Sequence, residues 1–388
     1  MTGRLILSAA AIVASAIVSS EVRAGGGPES RYYLTAGDDD RNIRVRRSNF
    51  TATNQHFNLE FPIAVTGTVR TAGISDGLRG AEYDREFGYT GTDFELVAPL
   101  ESEFFDGTTD GQFFYAVDFF SGDVYRFKKT WKKPKKMFSV GGPGDYLAMT
   151  YDPSNDSFWV ARWDSNRVEN FDRDGNFLSR FTVGHDLITC LALEHDRGIL
   201  WIGNEEDRGV FEGYDRDGNL VATVDYGFDF NTLGGEFDLG AVAKISSFKI
   251  NRGTLVSGNE ASLKKRDNNR LSYDAANAGG GSQVSELEVK LKSAVTDPGS
   301  FDLIVEHKIS QSGGQAKISI KNWQTGNFDI VHSGNIGAAF KTNSAENLDA
   351  SAYIRDNGVM IVRVRHTIAN PNGTVRSQAS FVQAHVRK

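Results

Sequence analysis

The sequence of 388 residues has little cysteine and little proline: one Cys and eight Pro. A single cysteine excludes a framework of disulfide bonds within the chain. Cys190 stands in an apolar segment, which is typical of a small buried residue rather than a reactive thiol. After the N-terminal segment there is no run of 18 apolar residues, so we predict no membrane-spanning helix in the mature protein.

Motifs of common enzyme classes are also missing. The sequence contains no Gly-x-Ser-x-Gly elbow and no phosphate-binding loop. Its seven His are scattered, and no two of them have the spacing of zinc ligands. The sequence therefore favours a non-catalytic protein over an enzyme.

Glycine and phenylalanine, in contrast, are abundant, with 41 and 26 residues. Many glycines and aromatic residues favour short strands joined by tight turns over long helices. We therefore predict an all-β fold.

The N-terminus has the pattern of a secretory signal peptide. Arg4 precedes a 14-residue apolar run, Leu5 to Val18, and Val22-Arg23-Ala24 offers a cleavage site. The run is shorter than the roughly 20 residues of a membrane anchor, which is the alternative. We predict a signal peptide at 1–24, a linker at 25–30, and a mature protein that is secreted, in the periplasm or outside the cell.

Residues 31–240 contain a repeated unit. The segment Phe171–Asn176 (Phe-Asp-Arg-Asp-Gly-Asn) recurs 43 residues later as Tyr214–Asn219 (Tyr-Asp-Arg-Asp-Gly-Asn). Aromatic residues recur upstream at intervals of 44 and 42 residues, at Tyr115, Trp159 and Trp201. A four-stranded unit of this period is typical of a β-propeller blade. The sequence predicts a propeller of about five blades over 31–240, in which the strand beginning at Arg31 completes the last blade.

The period is absent from residues 246–388. Apolar and polar residues alternate in several segments, such as Val284–Leu291 and Val359–Ile368, with polar turns between them. Strands at such intervals predict a β-sandwich, of the jelly-roll type as one possibility.

Charge is divided unevenly between the two parts. Without the signal peptide, the part up to residue 244 has a net charge of −14, and the part from Ile245 has +6. Opposite charges predict that the two domains attract each other or meet different partners. Arg363 and Arg365 lie on one face of a predicted strand, which makes them the first candidates for contact with an anionic ligand.

Three acidic residues are candidates for a binding site. Asp106 and Asp110 lie in a polar, Gly-rich turn before a strong strand, and Asp118 follows that strand. Carboxylates at such spacing are ligands of divalent cations such as calcium. The alternative is a structural loop. We predict no cofactor, and a divalent cation such as calcium is the alternative.

Three tryptophans are further candidates. Trp131 lies in a segment with six Lys, 128–136, which is a possible platform for an anionic polymer. Trp159 and Trp201 occupy equivalent positions in the repeat. The alternative is an exposed Lys-rich hairpin at 128–136 and core packing at the repeat positions. Net acidity and predicted export argue against nucleic acid as the partner.

An enzyme remains the alternative function. Propellers host hydrolases and lyases that use a divalent cation in the central channel. Such a site needs side chains from several blades, and the available residues are Glu82, Asp118, Glu194, Asn204, Glu205 and Glu236.

Several motifs resemble those of known exported proteins. Tyr32–Asp38, Pro62–Val65, Phe105–Gly111 and Leu233–Phe237 resemble segments of uncharacterised exported bacterial proteins, a PEP-CTERM-associated class with β-propeller-like repeats. The segment Arg252–Leu263 resembles the start of a C-terminal β domain found in exported planctomycete proteins. The resemblance implies export and supplies no catalytic residues.

We predict a secreted, monomeric binding or scaffold protein whose partner is a protein, a polysaccharide or another component of the cell envelope.

Overall fold

The computed structural model describes residues 27–141, 144–264 and 269–387. The predicted signal peptide, 1–24, lies outside the described residues. Within them the fold is all-β as predicted, and the helices are one short α-helix, α1 (Ala350–Tyr353), and one 3-10 helix, η1 (Glu260–Leu263). No helix in these ranges is long and apolar enough to cross a membrane.

The first half of the described chain forms five antiparallel sheets of four strands each. The strands are β1 (Tyr32–Ala36), β2 (Arg41–Arg46), β3 (Asn49–Asn54), β4 (Glu60–Val65), β5 (Val69–Gly73), β6 (Arg79–Tyr83), β7 (Tyr89–Glu95), β8 (Thr108–Thr109), β9 (Phe114–Val117), β10 (Asp123–Phe127), β11 (Lys135–Ser139), β12 (Tyr146–Asp152), β13 (Ser157–Arg162), β14 (Arg167–Asp172), β15 (Phe177–Thr182), β16 (Ile188–Glu194), β17 (Ile199–Asn204), β18 (Val210–Tyr214), β19 (Leu220–Asp225) and β20 (Thr232–Phe237).

These sheets are the blades of a five-bladed propeller. Blade 1 has the strand order β20-β1-β2-β3, and blades 2 to 5 use β4–β7, β8–β11, β12–β15 and β16–β19. The inner strands β20, β4, β8, β12 and β16 contact one another in a closed ring. β1 pairs with β20, with Tyr32 opposite Phe237, so the ring is closed by strands from both ends of the repeat region, as predicted.

The repeated turn of the sequence joins neighbouring blades. In Tyr214–Asn219, Asp215 accepts hydrogen bonds from the backbone of its own turn, at Asp217 and Asn219. The next residue, Arg216, reaches the end of the inner strand of blade 4, where its Nε is 2.6 Å from Oδ2 of Asp152.

The same contact recurs around the ring. Arg173 of blade 4 pairs with Asp110 of blade 3 at 2.8 Å, and Arg85 of blade 2 pairs with Asp238 beside blade 1. The repeated Arg therefore connects blades, and the carboxylates that it meets, Asp110, Asp152 and Asp238, are spaced by one and then by two repeats.

The second half forms two six-stranded sheets. The strands are β21 (Ala241–Val242), β22 (Lys244–Arg252), β23 (Thr254–Ser257), β24 (Leu271–Asp274), β25 (Ala276–Gly279), β26 (Ser282–Lys292), β27 (Ser300–Ile309), β28 (Gly314–Lys321), β29 (Phe328–Ile336), β30 (Lys341–Asp349), β31 (Val359–Ala369) and β32 (Arg376–Arg387). One sheet contains the order β24-β32-β27-β30 and the other the order β26-β31-β28-β29. Strands that follow each other in sequence mostly alternate between the sheets, which gives the jelly-roll form of a β-sandwich.

The jelly-roll core contains a chain of buried hydrogen bonds. His307 Nε2 lies 2.8 Å from Asn343 Oδ1, and its Nδ1 lies 2.6 Å from Nε2 of His366. His366 Nδ1 is 2.9 Å from the hydroxyl of Ser377, which contacts Ser285 at 2.6 Å. A neutral imidazole has one donor and one acceptor. When both histidines are neutral, each hydrogen bond in this row therefore has one donor and one acceptor.

We expect this hydrogen-bonded row of side chains, from Asn343 to Ser285, to make the jelly roll sensitive to acid. Burial lowers the pKa of His307 to about 4 and also lowers that of His366. The unfolded chain binds protons near pH 6.5, so stability is present above that pH and is lost as pH falls towards 4. For His307 alone the loss is about 3 kcal/mol.

Urea unfolding between pH 7.5 and pH 4.5 measures this loss. The double variant H307N/H366N is the matched control: its stability at pH 7.5 should be lower, and its further loss on acidification should be smaller. Equal urea midpoints for the native chain at pH 7.5 and pH 4.5 would contradict the expectation.

The jelly roll packs directly against the propeller. Gln383 Nε2 of β32 donates to the backbone oxygen of Asp110 at 3.0 Å. Ser344 Oγ of β30 donates to the backbone oxygen of Ser154 at 2.6 Å. Arg387 pairs with Asp196 at 2.7 Å.

Opposite charges meet at this interface. Arg387 lies between Asp196 of the propeller and Asp302 of the jelly roll, and Arg216 lies between Asp152 and Glu346. The two pairs across the interface have opposite polarity, since the propeller contributes the acid to one and the base to the other. The attraction between the net charges of the two halves stays a prediction.

Candidate binding face of the propeller

The axis of the propeller is filled by buried polar groups. Asp106 is fully buried, and its carboxylate accepts hydrogen bonds from the backbone N–H of Gly107 at 2.7 Å, Gly235 at 3.0 Å and Met149 at 3.1 Å. Gly235 and Met149 belong to the inner strands of blades 1 and 4. One carboxylate therefore ties several blades together.

Glu236 is the second axial carboxylate. Its Oε1 accepts the N–H of Phe237 at 2.9 Å and lies 3.3 Å from the hydroxyl of Thr150, and its Oε2 accepts the hydroxyl of Thr108. Thr108 and Thr150 in turn accept backbone N–H groups of the adjacent inner strand. The four axial side chains, Asp106, Thr108, Thr150 and Glu236, are all buried.

This network leaves little capacity for a metal ion. Burial raises the pKa of Asp106 and of Glu236, and the proximity of Asp106 adds to the shift at Glu236. Their oxygens already accept hydrogen bonds from the surrounding strands. Within 27–141, 144–264 and 269–387, no group of three or more His, Cys, Asp or Glu is arranged to hold a metal ion.

The acidic candidates from the sequence lie in different places. Asp110 accepts from the backbone of Gln112 and Phe113 and pairs with Arg173. Asp118 caps a turn at the opposite end of blade 3 through the N–H of Ser121. Of these residues only Asp106 is at the axis, and a binding role for the others stays a prediction.

The tryptophan candidates are in the core. Trp131 is fully buried and packs on Phe114 and Phe127, with ring centroids 4.8 and 5.6 Å away. Trp159 and Trp201 are buried within blades 4 and 5. Each donates its indole N–H to the acidic residue that ends the preceding strand, at 3.1 and 2.9 Å. Their spacing in sequence thus corresponds to equivalent core positions.

The residues named for a catalytic channel do not converge. Glu236 is axial, whereas Glu82 pairs with Arg70 and Glu205 accepts the indole N–H of Trp163. Glu194 accepts the N–H of Ser30 at the end of blade 5 that faces the jelly roll.

A cleft of about 880 Å³ lies between the propeller and the jelly roll. Most of its charged side chains are paired with one another, such as Arg85 with Asp238 and Arg387 with Asp196. The cleft therefore offers a ligand few uncompensated charges.

The strand connections define two faces of the propeller. The strands of a blade are numbered here from the axis outward. The connections between first and second strands, and between third and fourth strands, lie at one end of the propeller. The jelly roll contacts this end, at Asp110, Ser154, Asp196 and Arg216, and we call it the docked face. The described residues of the other end, the free face, are 37–40, 55–59, 74–78, 96–107, 118–122, 140–141, 144–145, 163–166, 183–187, 205–209 and 226–231.

The free face is strongly acidic. Apart from the buried Asp106 and Asp118, its connections contain thirteen Asp or Glu, against a single Lys or Arg, which is Arg208. The acidic residues are Asp38, Asp39, Asp40, Asp76, Glu101, Glu103, Asp145, Asp164, Asp186, Glu205, Glu206, Asp207 and Asp229. Charges of one sign that cover a face produce a field that attracts cations.

Aromatic rings lie beside these acids. Phe61, Phe105, Phe119 and Phe120 form a row with successive centroid distances of 6.0, 5.0 and 5.2 Å. Phe120 is 51% exposed and lines a cavity of about 320 Å³ together with acidic residues of blades 2 and 3. The face thus combines negative charge with accessible apolar surface.

Residues 106–205 match a family model. The family is described as the SMP-30/gluconolactonase/LRE-like region, whose members are β-propellers. The match spans blades 3 and 4 and the inner half of blade 5, about a quarter of the chain. It supports the propeller and does not extend to the jelly roll. No curated protein matches the chain.

Solved structures give similarities at low identity. A chain of a nidogen/laminin complex is 10% identical, covering 53% of this chain and 97% of its own length, with a TM-score of 0.40. Glutaminyl cyclase from Myxococcus xanthus is 12% identical, covering 51% and 78%, with a TM-score of 0.35. A Bacteroides caccae protein of unknown function is 9% identical, covering 67% and 82%, with a TM-score of 0.34. Likenesses of this size assign no function.

Proposed function

We propose that the protein is a secreted, non-catalytic binding protein of the cell envelope or extracellular space, and that its free propeller face binds a basic segment of another protein. The observation that carries the proposal is the charge of that face, whose connections contain thirteen acidic residues and one Arg. Phe120, the exposed end of the aromatic row, supplies apolar contact for the same partner.

The filled axis supports a non-catalytic role. Asp106 and Glu236 are buried and hydrogen bonded by the inner strands, so they hold the ring together. Export is supported by the signal-peptide pattern of 1–24 and by the resemblance to PEP-CTERM-associated and planctomycete exported proteins. Fusing residues 1–24 to a reporter enzyme and measuring its activity outside the cytoplasm tests export directly.

Binding of an oligolysine peptide to the immobilised full chain tests the acidic face. The variant E206Q/D207N removes two exposed charges of the free face and should weaken binding about fivefold, since each exposed ion pair contributes up to about 1 kcal/mol. The matched control D174N/D217N removes two charges from turns on the docked face and should leave binding within about twofold.

An equal effect of both double variants would show that net charge, not this face, governs binding. Absence of any oligolysine binding at 50 mM salt would overturn the proposal, because screening is weak there.

A hydrolase is the second candidate, and the match of 106–205 to a family whose description includes gluconolactonase favours it. In that case a purified sample should hydrolyse a sugar lactone faster than the uncatalysed reaction does. Hydrolysis at the rate of the uncatalysed reaction would favour the binding role.

A further inference from the structure

The outer face of one jelly-roll sheet is strongly basic. In the sheet β22-β26-β31-β28-β29, alternate residues face the core, and the others face outward. The outward residues include nine Lys or Arg and two Glu. The basic ones are Lys244, Lys249, Arg252, Lys290, Lys292, Lys317, Lys321, Arg363 and Arg365.

This face is turned away from the propeller. The contacts with the propeller come from β27, β30 and β32 of the other sheet, at Ser300, Glu346 and Gln383 among others. The basic face and the acidic free face are therefore at opposite ends of the molecule, and each is open to its own partner.

A groove of about 460 Å³ runs along the basic face between β29 and β31. One wall is apolar, with Phe328 and Ile330, of which Ile330 is 56% exposed. Lys317, Arg363 and Arg365 also line the groove, together with one acidic residue, Glu286.

The two arginines are held in place. The guanidinium of Arg363 lies 3.6 Å from the ring centroid of Phe328, and its Nε is 2.9 Å from Oε2 of Glu288. Arg365 is 3.7 Å from Glu286, and its side chain is 46% exposed. Positioned guanidinium groups lose little conformational freedom when they bind a carboxylate or a sulfate.

We propose that this groove binds an acidic polysaccharide, a chain of sugars that carry carboxylate or sulfate groups. The excess of basic residues selects an anion, and guanidinium groups pair with planar carboxylates through two hydrogen bonds. The C–H surface of a sugar ring complements the apolar wall at Ile330. This site is separate from the free propeller face and does not depend on it.

Other anionic partners fit the groove less well. Nucleic acid binding without sequence preference uses open aromatic faces for base stacking, and one face of Phe328 is covered by Arg363. The acidic free face of a second copy of the chain is a broad surface built from loops of all five blades. It would contact the basic sheet but would not enter a groove between two strands.

Titration of the full chain with polygalacturonate tests the proposal, with dextran as the uncharged polymer. The variant R363Q/R365Q should weaken binding about tenfold or more, since hydrogen bonds to charged groups are lost at two positions. The matched control K308Q/K341Q removes the same charge from the other sheet and should change binding by less than about twofold. E206Q/D207N on the propeller should not change the binding of polygalacturonate. The proposal for the groove and the proposal for the free face can therefore be refuted separately.

Three results would overturn the proposal. They are equal weakening by the two jelly-roll variants, binding of dextran as tight as that of polygalacturonate, and tighter binding of DNA or of phosphatidylglycerol vesicles than of polygalacturonate. Concentration-dependent association in sedimentation that R363Q/R365Q abolishes, without polygalacturonate binding, would assign the face to a second copy of the chain.

Discussion

Replacing Arg387 with alanine is expected to lower the free energy of unfolding by about 3–5 kcal/mol, because it leaves a buried carboxylate without its partner. Arg387 is 7% exposed and pairs with Asp302, which is 1% exposed, at 2.7 Å. Burial acts to raise the pKa of Asp302, but the guanidinium of Arg387 holds that pKa below its ordinary value. The variant also loses the contact with Asp196 of the propeller.

Urea unfolding at pH 7 measures the loss, and R376A is the matched control. Arg376 lies on the same strand and pairs with Asp274 at 2.8 Å, but the two side chains are 48% and 28% exposed. An exposed pair contributes at most about 1 kcal/mol. Equal losses of stability in R387A and R376A would show that the buried pair of Arg387 and Asp302 contributes no more than an exposed ion pair.

Replacing Asp106 with alanine should destabilise the propeller by about 3–5 kcal/mol. Three backbone N–H groups would lose their acceptor in a site without solvent access, and each unsatisfied group costs about 1–3 kcal/mol. D106N retains one acceptor oxygen and should give an intermediate loss.

The control for this variant is D76A. Asp76 also accepts a backbone N–H, that of Ala98 at 2.9 Å, but it is exposed on the free face. Water replaces the lost acceptor there, so the expected change is within about 0.5 kcal/mol. Four of the five tryptophans lie in the propeller, so intrinsic fluorescence follows its unfolding. A loss below 1 kcal/mol in D106A would refute the idea that this carboxylate holds the blades together.

The architecture was predictable because its signals are local. The recurrence of Asp-Arg-Asp-Gly-Asn and of the aromatic residue upstream identified the blades, and the pairing of β1 with β20 followed from counting repeats. The alternation in segments such as Val359–Ile368 identified the strands of the jelly roll in the same way.

The site was less predictable because it depends on residues far apart in sequence. The contact of Thr108 with Glu236 joins residues separated by 128 positions, and no spacing pattern announces it. A signal was nevertheless present: threonine and acidic residues interrupt otherwise apolar inner strands, and Thr108 and Thr150 are one repeat apart. The acidic face could not be predicted for a different reason: its thirteen acidic residues are distributed over eight connections and come together only when the ring closes.

Both halves of the molecule place a strand from one end of their sequence in the middle of a sheet. β1 pairs with β20 about 200 residues later, and β32 lies between β24 and β27. Contacts between residues so far apart form late, because the intervening chain must first be ordered. A chain that emerges with its N-terminus first cannot close the propeller before Phe237 is available, nor the jelly roll before β32. Each unit therefore gains its closing contacts only after the last of its own strands has been synthesised, however early its first strands pair.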